Sequence, residues 1–136
     1  MTPADLAYAA GFFDGEGHIS LVRMKRRRET ALYVAATNTH EEICWWFRSL
    51  FGGIVYVKRR RDPQHQTAWV WRVSAGHAER FLVAVLPYLK LKRPQAEIAL
   101  QFRASVRRVT TRLSPQVVGK REALVTQLHA LNRRGN

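Results

Sequence analysis

The chain has 136 residues, nearly half of them apolar, so it can bury a core of its own, and one domain spanning residues 1–136 is expected. Lys and Arg number 23 against 10 Asp and Glu; the resulting net charge of +13 exceeds the magnitude of about 2–8 that keeps a small domain soluble, and points to a polyanion, nucleic acid before others. One cysteine, Cys44, excludes an internal disulfide or a cysteine-rich zinc site, no apolar run is long enough to span a membrane, and the N-terminal stretch runs into Asp14 and Glu16 without a basic flank, so an intracellular, unsecreted protein is expected.

Thr2-Pro3-Ala4-Asp5 opens the first helix: Thr2 is the N-cap, Pro3 the first helical residue, and Asp5 falls three after the cap. Leu6 to Phe13 continue it, and Gly15 and Gly17 end it. Ala7, Ala10, Gly11 and Asp14 recur at i, i+3, i+4 and i+7, a stripe with little side-chain bulk that lets a second backbone approach closely. His18–Met24 is a strand with Ile19 and Leu21 on one face and Ser20 and Val22 on the other. Lys25-Arg26-Arg27-Arg28 is a basic turn. A second strand, with Leu32, Val34 and Ala36 on its core face, ends near Asn38. Thr39-His40-Glu41-Glu42 reads as a capping box for a helix to Leu50, stopped by Gly52-Gly53. Ile54–Lys58 is a third strand, Arg59–Gln66 a basic turn, and Thr67–Val73 a fourth strand. In that last strand Trp69, Trp71 and Val73 face the core, opposite Val70 and Arg72. Helices follow over His77–Leu86, Pro94 to about Val109, and Ser114-Pro115 to about Leu131. Two hairpins, each preceded by a helix, make an α+β fold with a four-stranded sheet.

Charge is distributed unevenly. Residues 1–24 hold one basic residue, Arg23, and three acids, Asp5, Asp14 and Glu16, a net of −2 that leaves +15 for the rest. Asp14 and Glu16 lie at the helix C-terminus, where the dipole disfavours acids and a bound cation would relieve the conflict. A simple glycine-rich turn with flanking acids is the alternative.

Leu6-Ala7-Tyr8-Ala9-Ala10-Gly11-Phe12-Phe13-Asp14-Gly15-Glu16-Gly17 resembles the signature of the LAGLIDADG homing endonucleases, with Ala9 for the first Leu and Glu16 for the last Asp. A second stretch, Leu86-Pro87-Tyr88-Leu89-Lys90-Leu91-Lys92-Arg93-Pro94-Gln95-Ala96, is similar to the family segment that follows its penultimate core helix. The resemblance implies an αββαββα domain whose four-stranded antiparallel sheet forms a DNA-binding saddle, with extra C-terminal helices. It implies a homodimer acting on double-stranded DNA at a long, near-palindromic site, with Mg²⁺ as cofactor and Mn²⁺ or Ca²⁺ able to substitute for binding. The implied catalytic residues are Glu16, Asn38 and Lys92. Metal would be held by Glu16 and the Gly15 carbonyl. Lys92 matches a family lysine that reaches the active site, and Asn38 a polar residue, commonly Gln, that positions water.

The same resemblance assigns Ser20, Val22, Met24, Tyr33, Ala35, Tyr56, Lys58, Arg60, Val70 and Arg72 to the base-reading face. Lys25, Arg26, Arg27, Arg28, Arg59 and Arg61, with Arg107 and Arg108, are expected on backbone phosphates. Ala7, Ala10, Gly11 and Asp14 are the expected dimer contact. The alternatives are a surface lysine at Lys92, a turn residue at Asn38, and, for the whole chain, a non-catalytic DNA-binding regulator or an RNA-binding intron maturase.

Overall fold

The computed structural model describes residues 1–24, 29–59, 64, 66–107 and 114–134, with the backbone alone at Arg107. The first helix, α1, spans Pro3–Glu16. Its start is a reciprocal cap: the Thr2 hydroxyl accepts the Asp5 N–H at 3.1 Å and the Asp5 carboxylate accepts the Thr2 N–H at 3.0 Å. Gly17 caps the far end through its N–H to the Phe13 carbonyl and is also the first residue of strand β1, Gly17–Met24. Strand β2 is Glu29–Asn38, helix α2 Glu41–Phe51, strand β3 Ile54–Lys58 and strand β4 Ala68–Ser74. Helix α3, Ala75–Val85, passes through a 3-10 turn at Leu86–Tyr88 to helix α4, Arg93–Arg107, and helix α5 is Pro115–Arg133.

The element order is the expected one, and the strands form one antiparallel sheet in the order β1-β2-β4-β3. Boundaries move by a residue or two. Strand β4 starts and ends one residue later than expected, and α3 begins at Ala75 rather than His77 and stops at Val85 ahead of Pro87. The capping box expected at Thr39 is absent. His40 is the N-cap of α2 and makes no side-chain cap bond; the Asn38 side-chain oxygen Oδ1 accepts the His40 N–H at 2.9 Å instead. An Asn side chain reaching two residues ahead forms such a turn readily, and the N-cap falls one residue past Thr39.

Alternation along the strands puts Ile19, Leu21, Leu32, Val34, Ala36, Trp71 and Val73 on one buried face of the sheet. Against it pack Ala9, Ala10 and Phe13 of α1, Cys44 and Phe47 of α2, and Ala78, Phe81, Leu82 and Val85 of α3. Trp71 is fully buried, its ring 4.9 Å from Phe47 and 5.0 Å from Phe81, and its indole N–H donates to the Gly52 carbonyl at 2.8 Å. Gly52 and Gly53 take φ of +76° and +94°, and a side chain at Gly53 would meet the Arg72 carbonyl at 2.4 Å.

Gly17 matters for space, not for torsion. A Cβ there would stand 2.2 Å from the Phe13 ring, which is fully buried and edge-on to Phe81 at 5.1 Å. The ring has nowhere to go without opening the core. Gly17→Ala is therefore expected to lower the unfolding free energy by about 1–3 kcal/mol, measured by denaturant titration. An unchanged midpoint would mean that Phe13 repacks freely.

Strand β1 is an edge, and its outward carbonyls need partners. Helix α5 supplies them: the Asn132 amide donates to the Ile19 carbonyl at 2.9 Å, and the His129 ring nitrogen Nε2 lies 3.2 Å from the Leu21 carbonyl. An ion pair between Arg23 and Glu122 fastens the outer end of the strand.

Candidate active site and nucleic-acid face

The two acids at the end of α1 have different fates. Asp14 is half-buried, and its two carboxylate oxygens accept the backbone N–H groups of Lys90, at 2.8 Å, and Lys92, at 3.0 Å. It thus holds the turn between the 3-10 segment and α4. The Lys92 ammonium donates to the Asp14 backbone carbonyl at 2.7 Å, a cation at the negative end of the helix dipole. Glu16, one residue past Gly15, is exposed, and among the described residues no hydrogen bond or ion pair engages its carboxylate. The electrostatic conflict of two acids at a helix C-terminus is therefore settled for Asp14 by protein donors and left open at Glu16.

Lys92 is buried, only 5 % exposed. Burial lowers its pKa, while the Asp14 and Glu16 carboxylates act in the opposite direction. The ammonium is thus tied to the end of α1 by its bond to the Asp14 carbonyl and buried there, unlike a surface lysine. His18, the residue after the Gly17 cap, feels the same lysine. Desolvation first, and the Lys92 charge second, push the His18 imidazole below its usual range. His18 was missed by the sequence reading, although the alternation that put Ser20 on the face away from the core puts His18 there too.

The Asp14 contacts yield a stability test. Asp14→Ala leaves the Lys90 and Lys92 amides without their acceptor. Charge-assisted bonds of this kind are worth about 1.5–3 kcal/mol each, so a loss of roughly 2–4 kcal/mol is expected after partial rehydration. Asp14→Asn, which keeps one oxygen, should lose less, as read from thermal unfolding. Equal stability of the two variants would show that the bonds contribute nothing.

Asn38 stands at the end of β2, its side-chain oxygen taken by the His40 N–H and lying 3.2 Å from the His40 ring nitrogen Nδ1. The turn role that the sequence allowed is the one that the structure displays, and only the amide NH₂ remains to act on another group.

The sheet face away from the core carries the residues expected there. Strand register aligns His18, Ala35, Arg72 and Ile54 in one row, Ser20, Tyr33 and Ser74 in the next, and Thr37, Val70 and Tyr56 on the other side. Val22, Met24, Tyr56 and Lys58 are exposed, and Ser20, Tyr33, Ala35 and Arg72 half-buried. Val70 is a correction: it is 4 % exposed, flanked at its level by Thr37 and Tyr56, and its own surface is not available for base contact. Ile54, 50 % exposed, occupies the same face and was not anticipated. The Arg72 guanidinium lies over two rings, 5.0 Å from the centre of Tyr33 and 5.7 Å from that of Tyr56. Beside β1 an open cleft of about 400 Å³ is lined by His18, Ser20 and Val22 from the face and by His129, Asn132 and Arg133 from α5. Lys25, Arg26, Arg27, Arg28, Arg60, Arg61 and Arg108, and the side chain of Arg107, lie outside the described residues, whereas Arg59 is exposed just past the end of β3.

The bare stripe on α1 also needs correction. Ala10 is fully buried in the core and closed to a partner, and Asp14, half-buried, has both carboxylate oxygens engaged by the Lys90–Lys92 turn. The exposed stripe is Ala7, Gly11 and Gly15, spaced i, i+4 and i+8, with nothing within 4 Å of where a Cβ would be at either glycine. Tyr8, 58 % exposed, and Leu91, 57 % exposed, add apolar surface.

No family profile matches this chain, and no curated protein sequence is significantly similar to it. Solved structures do match. The homing endonuclease I-CvuI, in complex with DNA, is 23 % identical with a TM-score of 0.75, over 94 % of this chain and 82 % of that one. The archaeal intron-encoded homing endonuclease I-Vdi141I, complexed with DNA, is 16 % identical with a TM-score of 0.77, over 94 % and 84 %. I-SmaMI, a LAGLIDADG homing endonuclease bound to DNA, is 16 % identical with a TM-score of 0.67, over 89 % of this chain and 42 % of that longer one. This chain has the fold of the LAGLIDADG homing endonucleases.

Proposed function

We propose that this protein is a site-specific, divalent-metal-dependent endonuclease that cuts double-stranded DNA as a homodimer. The observation that carries this is Glu16: an exposed carboxylate with no hydrogen-bond or ion-pair partner among the described residues, near a buried lysine, at the end of a helix whose outer stripe is bare. A net charge of +13 and the DNA complexes of the structural neighbours support the substrate class.

The residues present fit a hard cation. No cluster of three His, Cys, Asp or Glu occurs among the described residues, so one chain offers no closed metal cage. Glu16 with the Gly15 carbonyl supplies two oxygen donors, which suits Mg²⁺, an ion that keeps waters and takes its remaining ligands from substrate phosphates. Mn²⁺ would serve similarly, and Ca²⁺ would support binding. A bound divalent ion supplies a water of lowered pKa and charge neutralisation on the phosphate. Lys92 places positive charge beside that phosphate, and its bond to the Asp14 carbonyl fixes where the ammonium points. Asn38 contributes through its amide NH₂, orienting a water.

The partner is a second copy. Ala7, Gly11 and Gly15 let two α1 helices cross at backbone distance, and a two-fold axis there sets each Glu16 near its mate. I-SmaMI is bound to DNA as a chain of which this one covers 42 %, a length that leaves room for a second unit of this size and supports the two-copy reading. A two-fold dimer implies a near-palindromic site. Ser20, Val22, Met24, Tyr33, Tyr56, Lys58 and Arg72 face the major groove, with the turn residues Lys25, Arg26, Arg28, Arg60 and Arg61 on phosphates. The protein acts as one domain, inside the cell that holds its target.

The test is incubation with a randomised duplex library in Mg²⁺, with sequencing of the cut ends and an EDTA control. Metal-dependent cuts at a long, near-palindromic sequence are expected. Tight binding without cleavage in Mg²⁺ or Mn²⁺ would favour a regulator, and a preference for structured RNA over duplex DNA would favour an RNA-binding role.

A further inference from the structure

We propose that Arg72 reads a guanine in each half of the target, about three base pairs from the scissile phosphodiester, and that Tyr33 and Tyr56 are the positioning residues that hold its guanidinium for the task. The inference rests on the endonuclease reading and adds to it a base identity and a place.

Four observations carry it. Arg72 lies on β4, one of the two central strands, so it faces the middle of a groove and not the phosphates along its rims. Its neighbours across the sheet at the same level, Ala35 and Ile54, are apolar and offer no competing polar atom. Among the described residues it is the one cation on the outer faces of β2 and β4, and no carboxylate there pairs with it. Tyr33 and Tyr56 reach it from the strands on either side, at 5.0 and 5.7 Å. Two rings flanking a planar group restrict its tilt, so the fork of N–H donors is set before DNA arrives.

The base follows from the donor pattern. Arginine has five N–H donors and no acceptor. In the major groove guanine alone presents two adjacent acceptors, N7 and O6. Adenine offers N7 beside a donor, cytosine a donor, and thymine one acceptor beside a methyl group. Both N–H groups of a fixed fork are satisfied by guanine only.

The place follows from the register. Arg72 shares its row with His18, which is two residues past Glu16, and is two strands away from it. Two strand spacings amount to about 10 Å. At about 3.4 Å per base pair, that is about three base pairs along the duplex.

The experiment is binding selection from a randomised duplex library in Ca²⁺ with the full chain, followed by affinities for the selected site and its single-base variants. The wild-type protein should select one guanine per half-site near the centre and bind roughly 10- to 100-fold less well when it is replaced. 7-Deazaguanine, which lacks the N7 acceptor, should cost a substantial part of that. Arg72→Lys and Arg72→Gln should lose the preference at that position and keep it elsewhere. Tyr33→Ala should weaken the preference, with Tyr33→Phe restoring it; this is a readout that loss of charge or folding would not give.

The proposal is overturned if Arg72→Gln weakens every sequence equally and lowers the salt dependence by about one ion, which is the behaviour of a phosphate contact. It is also overturned if no guanine is selected near the centre, although the protein binds other positions specifically. No bound duplex at all would remove the endonuclease reading together with this one.

Discussion

Glu16→Gln should leave DNA binding intact and reduce cleavage by about 10³-fold or more, corresponding to several kcal/mol of lost transition-state stabilisation. The substitution is nearly isosteric and lies on an exposed residue with no protein partner among the described residues, so the helix and its cap have no reason to change. What disappears is the one carboxylate at the end of α1 that is free to bind a cation, since Asp14 is held by the Lys90 and Lys92 amides. Affinity in Ca²⁺-free buffer should stay equal or rise slightly, because a negative charge facing phosphate is removed. Glu16→Asp retains the ligand type and should keep part of the activity. Cleavage by Glu16→Gln at the rate of the unaltered protein would remove Glu16 from the active site. A matching drop in thermal stability would point to a structural role instead.

Gly11→Leu should separate assembly from folding. In the single chain nothing lies within 4 Å of the added Cβ, and leucine is the better helix former by somewhat under 1 kcal/mol. The isolated chain should therefore unfold at the same temperature or higher. In a pair of crossed helices the same side chain enters the contact twice. At about 1–3 kcal/mol for each of the two overpacked groups, dimer affinity should fall by roughly 30- to 10⁴-fold. Sedimentation at micromolar concentration and double-strand cleavage of a near-palindromic site read the two consequences. A variant that remains a dimer and still cuts would move the contact off α1. Ala10→Leu is the informative contrast, because Ala10 is fully buried and its enlargement should damage the fold itself.

The two substitutions also mark where sequence reasoning is sufficient and where it is not. The cap of α1, the alternation of β1 and β2, the burial of Trp71 and the stop at Gly52-Gly53 are local, and each was legible because its cause lies within a few residues. Even a local competition can go the other way, as at the start of α2, where the N-cap is His40 and the Asn38 side chain accepts the His40 N–H in place of the capping box expected at Thr39. Small residues every third or fourth position identified a bare stripe on α1 but not its bearing. Ala10 turned inward and Gly15 outward because the stripe's orientation depends on where the sheet and α3 pack. Val70 is covered for a similar reason, since its neighbours Thr37 and Tyr56 arrive from strands separated from it in sequence.

By itself the sequence determined the order of elements, the excess of positive charge and the segment that ends in Asp14-Gly15-Glu16-Gly17. Periodicity, capping and composition are properties of near neighbours and of totals, and these need no knowledge of the rest of the chain. Only the tertiary structure decided which acid is free. The amides that engage Asp14 and the ammonium beside it come from residues 90 and 92, which reach α1 only after α3 has folded across the sheet. Asp14 thereby becomes a clamp and Glu16 the available ligand, because a carboxylate with two backbone donors is satisfied where it stands and one without them is not.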